Sequence, residues 1–278
     1  MNDDNTTTQS SSTGTPAQSS RRGGMGVPMA IVIGALIVAG AIYLNGSKPS
    51  NTPVNVQGGI DKAQNVQETP EIEVAPITAE DHIRGNPNAP IVIVEYSDYD
   101  CPFCRIFHDT MTKVIDEYGK SGQVAWVYRH LPLVQLHPNA PKISEASYCV
   151  SELGGNDAFW KFNDALNGSR KVEYDGNGNI KNVEPTNMAR MSEFAVTAGV
   201  DKAAFDSCYA SGRYTDKVEA DVEAGLKAGA RGTPYSVVMV GGEQGVISGA
   251  QPYETVKQIV DNLITQMNGG TAEAGTTN

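Results

Sequence analysis

The stretch IVIVEYSDYDCPFCRIFHD, residues 91–109, determines the predicted fold of this chain. Its first six residues are apolar and β-branched apart from Glu95 and Tyr96, a pattern typical of a central strand covered on both faces. After the cysteines, apolar residues recur with helical spacing as far as Tyr118, and Gly119 supplies a stop. The stretch therefore predicts a buried strand, a short loop, and a helix that begins at two thiols.

The residues that follow extend this pattern into an α/β fold. Residues 124–128 predict a second strand, so that strand, helix and strand form a βαβ unit, which is expected to be parallel and right-handed. Residues 138–229 have a mainly helical pattern, interrupted by a Gly- and Asn-rich stretch near 167–182. We interpret DGNGN within that stretch as a turn, since the acid that a calcium loop needs at its twelfth position is missing.

The end of the chain returns to strands. Residues 235–240 predict a strand, GGEQG a tight turn, VIS a short strand, and residues 253–267 an amphipathic helix. The order is βαβ, a helical block, then ββα. We therefore predict one α/β domain over residues 79–268, with a helical insertion at about 138–229.

Charge excludes one class of function. The formal net charge is -11, and no run of basic residues is longer than two. Binding to nucleic acid depends on clustered Lys and Arg that neutralise phosphates. We therefore expect no nucleic-acid partner.

The N-terminal part predicts export. Residues 27–44 carry no charge over about 18 positions, near the minimum for a transmembrane helix. Because Arg21 and Arg22 precede this segment, the positive-inside tendency predicts a cytoplasmic N-terminus and an extracytoplasmic domain at the cell membrane. A cleaved export signal, with Ala39-Gly40-Ala41 as the processing site, is the alternative.

Polar segments flank the predicted anchor and domain. Their composition is too poor in large apolar residues to form a core. We predict a disordered cytoplasmic tail at 1–26, a flexible linker at 45–78 and a disordered tail at 269–278.

The thiols Cys101 and Cys104 have three candidate roles: metal ligands, a structural disulfide, or an exchanging redox pair. A structural zinc site usually needs two further thiolate or imidazole ligands at close spacing, and no second Cys-X-X-Cys follows, so we predict no metal. A structural Cys101–Cys104 disulfide without redox activity is kept as an alternative. For redox chemistry the position is suitable, because helix starts favour the thiolate and Pro102 fits the first helical turn.

The order of these elements, with C-P-F-C opening the first helix and G-T-P before the third strand, resembles the DsbA-like thiol–disulfide oxidoreductases, which have a thioredoxin-like fold. The resemblance covers residues 79–268. It implies that Cys101 is the nucleophile and Cys104 the resolving thiol, with no bound cofactor. It also places a buried acid beneath the disulfide, and Glu95 occupies that position. An acid in an apolar strand should have a raised pKa, so Glu95 is predicted to exchange protons with Cys104, unless it faces solvent at a strand end.

The resemblance also implies a substrate-binding surface. In this fold the proline before the third strand lies against the disulfide, so Thr233–Pro234 is predicted to be cis and to offer backbone groups to a substrate. Pro102 and Phe103, between the cysteines, are assigned to the same surface. Many oxidising members of the family have valine where this chain has Thr233, so the redox direction stays open.

The remaining cysteines, Cys149 and Cys208, lie in the helical block. Four cysteines permit three pairings, and the local pair Cys101–Cys104 leaves Cys149–Cys208 as a predicted structural disulfide. Two buried free thiols are the alternative.

Together these observations predict a membrane-anchored oxidase that forms disulfides in exported proteins and is reset by a membrane redox partner. We favour oxidation because Phe103 replaces the Gly-Pro type of dipeptide found in reducing thioredoxins. A reductase or isomerase of the same fold and a non-catalytic peptide-docking module are the alternatives.

Overall fold

A mixed five-stranded sheet forms the centre of the computed structural model, which describes residues 72–269. Its strands are β1 (His82–Gly85), β2 (Ile91–Ser97), β3 (Val124–His130), β6 (Tyr235–Val240) and β7 (Glu243–Ser248). They lie side by side in the order β1, β3, β2, β6, β7. A separate hairpin is formed by β4 (Val172–Tyr174) and β5 (Ile180–Val183).

Strand β2 lies in the middle of the sheet. It pairs in parallel with β3 and antiparallel with β6, so that Glu95 lies between Tyr128 and Ser236. Because β2 has neighbours on both sides and is covered on both faces, its apolar run is buried, as predicted.

Six α-helices surround the sheet within the described part of the chain. They are α1 (Pro102–Val114), α2 (Ala140–Ser169), α3 (Met191–Thr197), α4 (Lys202–Ser211), α5 (Thr215–Lys227) and α6 (Tyr253–Met267). A π-helical turn, Ile115–Gly119, continues α1 up to the predicted stop at Gly119. The predicted βαβ and ββα frame, with a helical insertion between its halves, is thereby confirmed.

The two faces of the sheet are covered by different elements. The face with Ile93 and Trp126 packs against α1, α6 and the insertion helices, and Phe107 and Phe159 lie in that core. The opposite face bears smaller apolar groups, packed with residues of the loop after α5 and the segment before β1. The thiols at the start of α1 therefore sit over the first face, above Trp126.

Two local features differ from the sequence prediction. Strand β1 was not predicted, because a four-residue edge strand has too little alternation to detect. In GGEQG only Gly241 and Gly242 form the turn, with φ of 58° and 89°, and β7 already begins at Glu243. The turn was predicted too long because its polar residues were not expected in a strand, whereas an edge strand such as β7 tolerates polar side chains.

The insertion is also less helical than predicted, since it contains the β4–β5 hairpin. The Gly- and Asn-rich stretch between these strands is a turn, as predicted. Asp175 Oδ1 accepts hydrogen bonds from the backbone N–H groups of Asn177 and Asn179, both at 2.8 Å.

Packing of the domain begins before residue 79. Val74 and Ile77 pack on the second sheet face. The Arg129 guanidinium donates to the carbonyls of Ala75 at 2.9 Å and Pro76 at 3.1 Å. The last residues of the predicted linker 45–78 therefore belong to the folded unit, because their alternate apolar side chains find a partner surface.

The predicted disulfide Cys149–Cys208 is present and joins α2 to α4, with the two Cα atoms 5.8 Å apart. Both cysteines are buried in the main core. The disulfide fixes two helices of the insertion to each other.

Several predicted segments lie outside the described residues: the tail 1–26, the anchor 27–44, linker residues 45–71 and all of the tail 269–278 except Gly269. Within 72–269, no helix combines the length and apolar character needed to cross a bilayer.

Candidate active site

Cys101 and Cys104 lie at the start of α1, at the edge of the main core. Cys101 is the N-cap residue with an extended backbone (φ -63°, ψ 127°), and Pro102 occupies the first helical turn. Pro102 is tolerated because its missing N–H would have no partner there. Both cysteines are free thiols, and each is only 4% exposed.

The Cys101 sulfur is surrounded by hydrogen-bond donors. Its pKa is lowered to about 6, chiefly by a hydrogen bond from the Cys104 thiol. Burial opposes this shift, and the Thr233 side chain and the N–H groups of Cys104 and Phe103 add to it. The Thr233 hydroxyl is buried and has no hydrogen-bond partner among the described residues, so it is free to donate to this sulfur. Cys101 is therefore largely a thiolate near neutral pH.

Cys104 behaves in the opposite way. Burial raises its pKa well above the ordinary value, and the hydrogen bond it donates and the negative charges of Cys101 and Glu95 raise it further. Its sulfur accepts a hydrogen bond from the Asp98 N–H at 3.4 Å. The two thiols thus have very different acidity, which is what an attacking and a resolving thiol require.

Glu95 is fully buried in β2, and not at a solvent-facing strand end. Its Oε2 accepts a hydrogen bond from Trp126 Nε1 at 2.9 Å, while Oε1 has no hydrogen-bond partner in the described structure. Burial raises the pKa of Glu95 to about 7, against the lowering effect of Ser97 and Trp126. Its charge acts on Cys104, so the structure brings together an acid and a thiol that both favour the protonated form.

The Thr233–Pro234 peptide bond is cis, as predicted. The Cys101 sulfur lies 3.4 Å from the Thr233 carbonyl oxygen, to which the thiol donates in its protonated form, so the proline loop lies directly beside the sulfur. Phe103 is 53% exposed next to the thiols. Phe103, Pro102 and the proline loop thus form one surface around Cys101; its binding of substrates stays a prediction.

Asp98 is a site residue that sequence reasoning did not identify. Its buried Oδ1 accepts from the N–H groups of Asp100 at 2.8 Å and Cys101 at 3.2 Å. Its Oδ2 accepts from the Leu133 N–H at 2.7 Å and lies 2.8 Å from His137 Nδ1. Asp98 thus connects the loop that leads to Cys101, residues 98–101 (the cysteine loop), with the loop after β3. The sequence signal that could have identified Asp98 is an Asp shortly before a predicted helix start, a position where Asp side chains commonly accept hydrogen bonds from the backbone of an Asx turn.

Two thiols of unequal acidity, a buried acid below them and a cis-proline beside them lie together at this site, an arrangement suited to thiol–disulfide exchange. A family model described as Thioredoxin matches residues 78–262. The chain belongs to this family.

Solved structures share the fold. BdbD from Bacillus subtilis in its oxidised form is 20% identical, with a TM-score of 0.53 over 66% of this chain and 93% of that chain. Alpha-DsbA1 from Wolbachia pipientis is 20% identical, with a TM-score of 0.55 over 69% of this chain and 95% of that chain.

Curated relatives match a smaller part. Na(+)/H(+) antiporter NhaA 3 of Salinispora tropica is 30% identical over 154 residues, 55% of this chain and 21% of that protein. Na(+)/H(+) antiporter NhaA 1 of Mycobacterium sp. (strain KMS) is 43% identical over 82 residues, 29% of this chain and 13% of that protein. The chain thus spans about a fifth or less of the length of these two relatives.

The acidity of Cys101 gives a direct prediction for the reduced protein. We expect its alkylation rate to rise through pH 6 and to level off above pH 7, because the thiolate is the reactive form and its pKa is about 6. Mass spectrometry of iodoacetamide-treated protein locates the modified residue. Faster modification of Cys104, or a rate still rising steeply between pH 8 and pH 9, contradicts the assignment.

Proposed function

We propose that the protein is a membrane-anchored oxidase that transfers the Cys101–Cys104 disulfide to cysteine pairs in exported proteins. The observation that carries this direction is the low pKa of Cys101 beside a Cys104 of raised pKa. A thiolate that is stabilised in the reduced state makes reduction of the disulfide favourable. The oxidised form therefore transfers its disulfide readily to a pair of substrate cysteines.

The first half of the exchange opens the disulfide of the enzyme. A substrate thiolate attacks Cys101 Sγ, forming a mixed disulfide while the Cys101–Cys104 bond breaks. Cys104 leaves with the bonding electrons, and its raised pKa makes it take up a proton. Glu95, with a pKa of about 7, is the buried group proposed to donate that proton.

The second half releases the product. A second substrate thiolate attacks the substrate sulfur of the mixed disulfide, and Cys101 leaves as a thiolate. Its low pKa makes it a good leaving group. The substrate has then lost two electrons and two protons, and the enzyme pair has gained the two electrons. A membrane redox partner that accepts two electrons from the dithiol would complete the cycle.

The proposed location follows from the sequence of residues 27–44. An uncleaved helix there would keep the domain at the outer face of the cell membrane, where secreted chains emerge and disulfides persist. Exported proteins with pairs of cysteines are the substrates that this location supplies.

The reduction potential of the Cys101–Cys104 pair tests the direction. Equilibration of the purified domain with mixtures of reduced and oxidised glutathione should give a potential above that of thioredoxin, about -270 mV. The same protein should oxidise a reduced, unfolded substrate with two cysteines in stoichiometric amounts. A potential at or below the thioredoxin value would assign the protein to the reducing direction.

A further inference from the structure

Arg170 spans the backbone loop that carries Cys101, although it lies about 70 residues away in the chain. It follows α2 and is 2% exposed. One terminal nitrogen donates to the carbonyls of Tyr99 at 2.6 Å and Cys101 at 3.2 Å, and the other to that of Asp100 at 2.8 Å. Its Nε donates to the Glu184 carbonyl at 2.9 Å. The guanidinium therefore connects the cysteine loop to the insertion.

The positive charge of the Arg170 guanidinium is not neutralised by an ion pair within the described chain. All four acceptors are neutral carbonyl oxygens, and no carboxylate of the described chain forms an ion pair with it. The anionic groups that act on it are Asp100, Cys104 and Cys101. The Asp100 carboxylate accepts from the Thr186 N–H at 2.9 Å, which draws it toward the insertion. A buried cation without a close counter-ion is unfavourable, so an anion forming nearby is stabilised.

We propose that Arg170 is a positioning residue of the redox site, which fixes the loop at residues 99–101 and supplies the positive charge that favours the reduced pair. In the disulfide, Cys101 carries no charge and Arg170 faces only the acid of the loop. After reduction, the Cys101 thiolate adds a negative charge within reach of the guanidinium. This inference rests on the proposed function, because it requires that Cys101 and Cys104 interconvert between disulfide and dithiol.

Other charged groups around Cys101 would act against the thiolate. The acids that face it from the loop and β2 are Asp98, Asp100 and Glu95. Arg231, in the segment before the cis-proline, donates to the carbonyls of Leu226 and Ala230 instead. Arg105 on α1 donates to the Arg170 carbonyl at 3.1 Å and forms an ion pair with Asp109 at 2.7 Å. Arg170 is therefore the cation of this site that contacts the cysteine loop and has no carboxylate ion pair among the described residues.

The test compares four variants of the full-length protein with the wild-type protein. Arg170→Met removes the charge, and Arg170→Lys keeps it but loses the simultaneous contact with three carbonyls. Asp100→Asn retains a side-chain oxygen for the Thr186 N–H and removes the opposing negative charge. Arg129→Met is the matched control, because it removes a half-buried arginine, paired with Asp81 at 2.8 Å, on the other face of the sheet.

We measure two quantities. A general loss of packing would not shift either of them in the predicted direction. One is the pKa of Cys101, followed by thiolate absorbance at 240 nm. The other is the equilibrium in which the enzyme disulfide and two molecules of reduced glutathione give the enzyme dithiol and one glutathione disulfide. Thermal unfolding of each variant records its folding separately.

We expect Arg170→Met to raise the pKa by about one unit and to shift the glutathione equilibrium about tenfold toward the enzyme disulfide, equivalent to about 30 mV. Arg170→Lys should shift both less, Asp100→Asn should shift both the opposite way, and Arg129→Met should change only stability. A folded Arg170→Met variant with wild-type values overturns the inference. If that variant does not fold, unchanged values for Asp100→Asn overturn it. A wild-type pair that does not exchange with glutathione would refute the proposed function itself.

Discussion

Cys101→Ser is expected to abolish disulfide transfer completely, and Cys104→Ser to trap exported proteins as mixed disulfides on Cys101. The first variant lacks the sulfur that a substrate attacks. The second retains the Cys101 thiolate, which attacks a disulfide of an exported protein and displaces one of its two sulfurs, but it lacks the Cys104 thiol that would release that protein by attacking Cys101. Full-length protein carrying each change, separated by non-reducing electrophoresis and identified by mass spectrometry, shows which adducts form.

The double variant Cys101→Ser/Cys104→Ser is the control, because it retains the Cys149–Cys208 disulfide and the cis-proline loop. A peptide-docking module would bind non-covalently in this variant as well. Adducts should fractionate with membranes, and residues 1–26 should be protected from protease added outside the cell. Adducts that form only in Cys101→Ser would reverse the proposed roles, and adducts in the soluble fraction would remove the proposed anchor.

Glu95→Gln is expected to slow resolution of a mixed disulfide by Cys104 about a hundredfold above pH 7, within the usual range for loss of a general base. The Cys104 thiol must lose its proton before it attacks, and ionised Glu95 is the proposed acceptor. Release of glutathione from a preformed adduct on Cys101 isolates this step. The wild-type rate should rise through pH 7, where Glu95 ionises, and the variant should lack that inflection.

Trp126→Phe provides a second variant that retains the carboxyl group. The indole N–H donates to Glu95 at 2.9 Å and lowers its pKa, so removing that donor should move the inflection to higher pH. An inflection that stays in place in both variants excludes Glu95 as the titrating group.

Stability against pH gives an independent readout of Glu95→Gln. The pKa of Glu95 rises from 4.5 in the unfolded chain to about 7 in the folded protein, so the folded state binds the proton more tightly. The resulting stabilisation is complete below pH 4.5 and is lost as the pH rises through 7. Relative to the variant, the wild type should lose about 3 kcal/mol of unfolding free energy over that window. Chemical denaturation of both proteins in the same redox state at pH 4 and pH 8 measures this difference.

Local sequence patterns were sufficient for the elements that build the fold. The apolar run of β2, the helical spacing after Cys104 and the helix Tyr253–Met267 each carry their own signal within a few residues. The cis-proline was predicted from the family resemblance, in which the G-T-P motif precedes the third strand. Glu95 was recognisable because a single acid interrupts an apolar strand.

The contacts around the thiols could not be predicted in this way. Arg170 meets the cysteine loop only because α2 returns the chain across about 70 residues, and its neighbours in sequence have no distinctive pattern. The exposed Phe103 and buried Asp98 likewise depend on which face of the sheet the loop reaches. The short strand β1 is defined by its pairing with β3, and not by its own residues.

The pairing of β2 has a consequence for the order in which the chain folds. On one side its neighbour β3 follows closely, so β2, α1 and β3 can assemble as a local unit soon after synthesis. On the other side Ile91 pairs with Val240, 149 positions later (240 minus 91). An emerging chain therefore exposes one apolar strand edge until nearly all of the domain is available, and such an edge recruits other extended chains. Nascent copies are most prone to aggregate during that interval, before the last hairpin arrives.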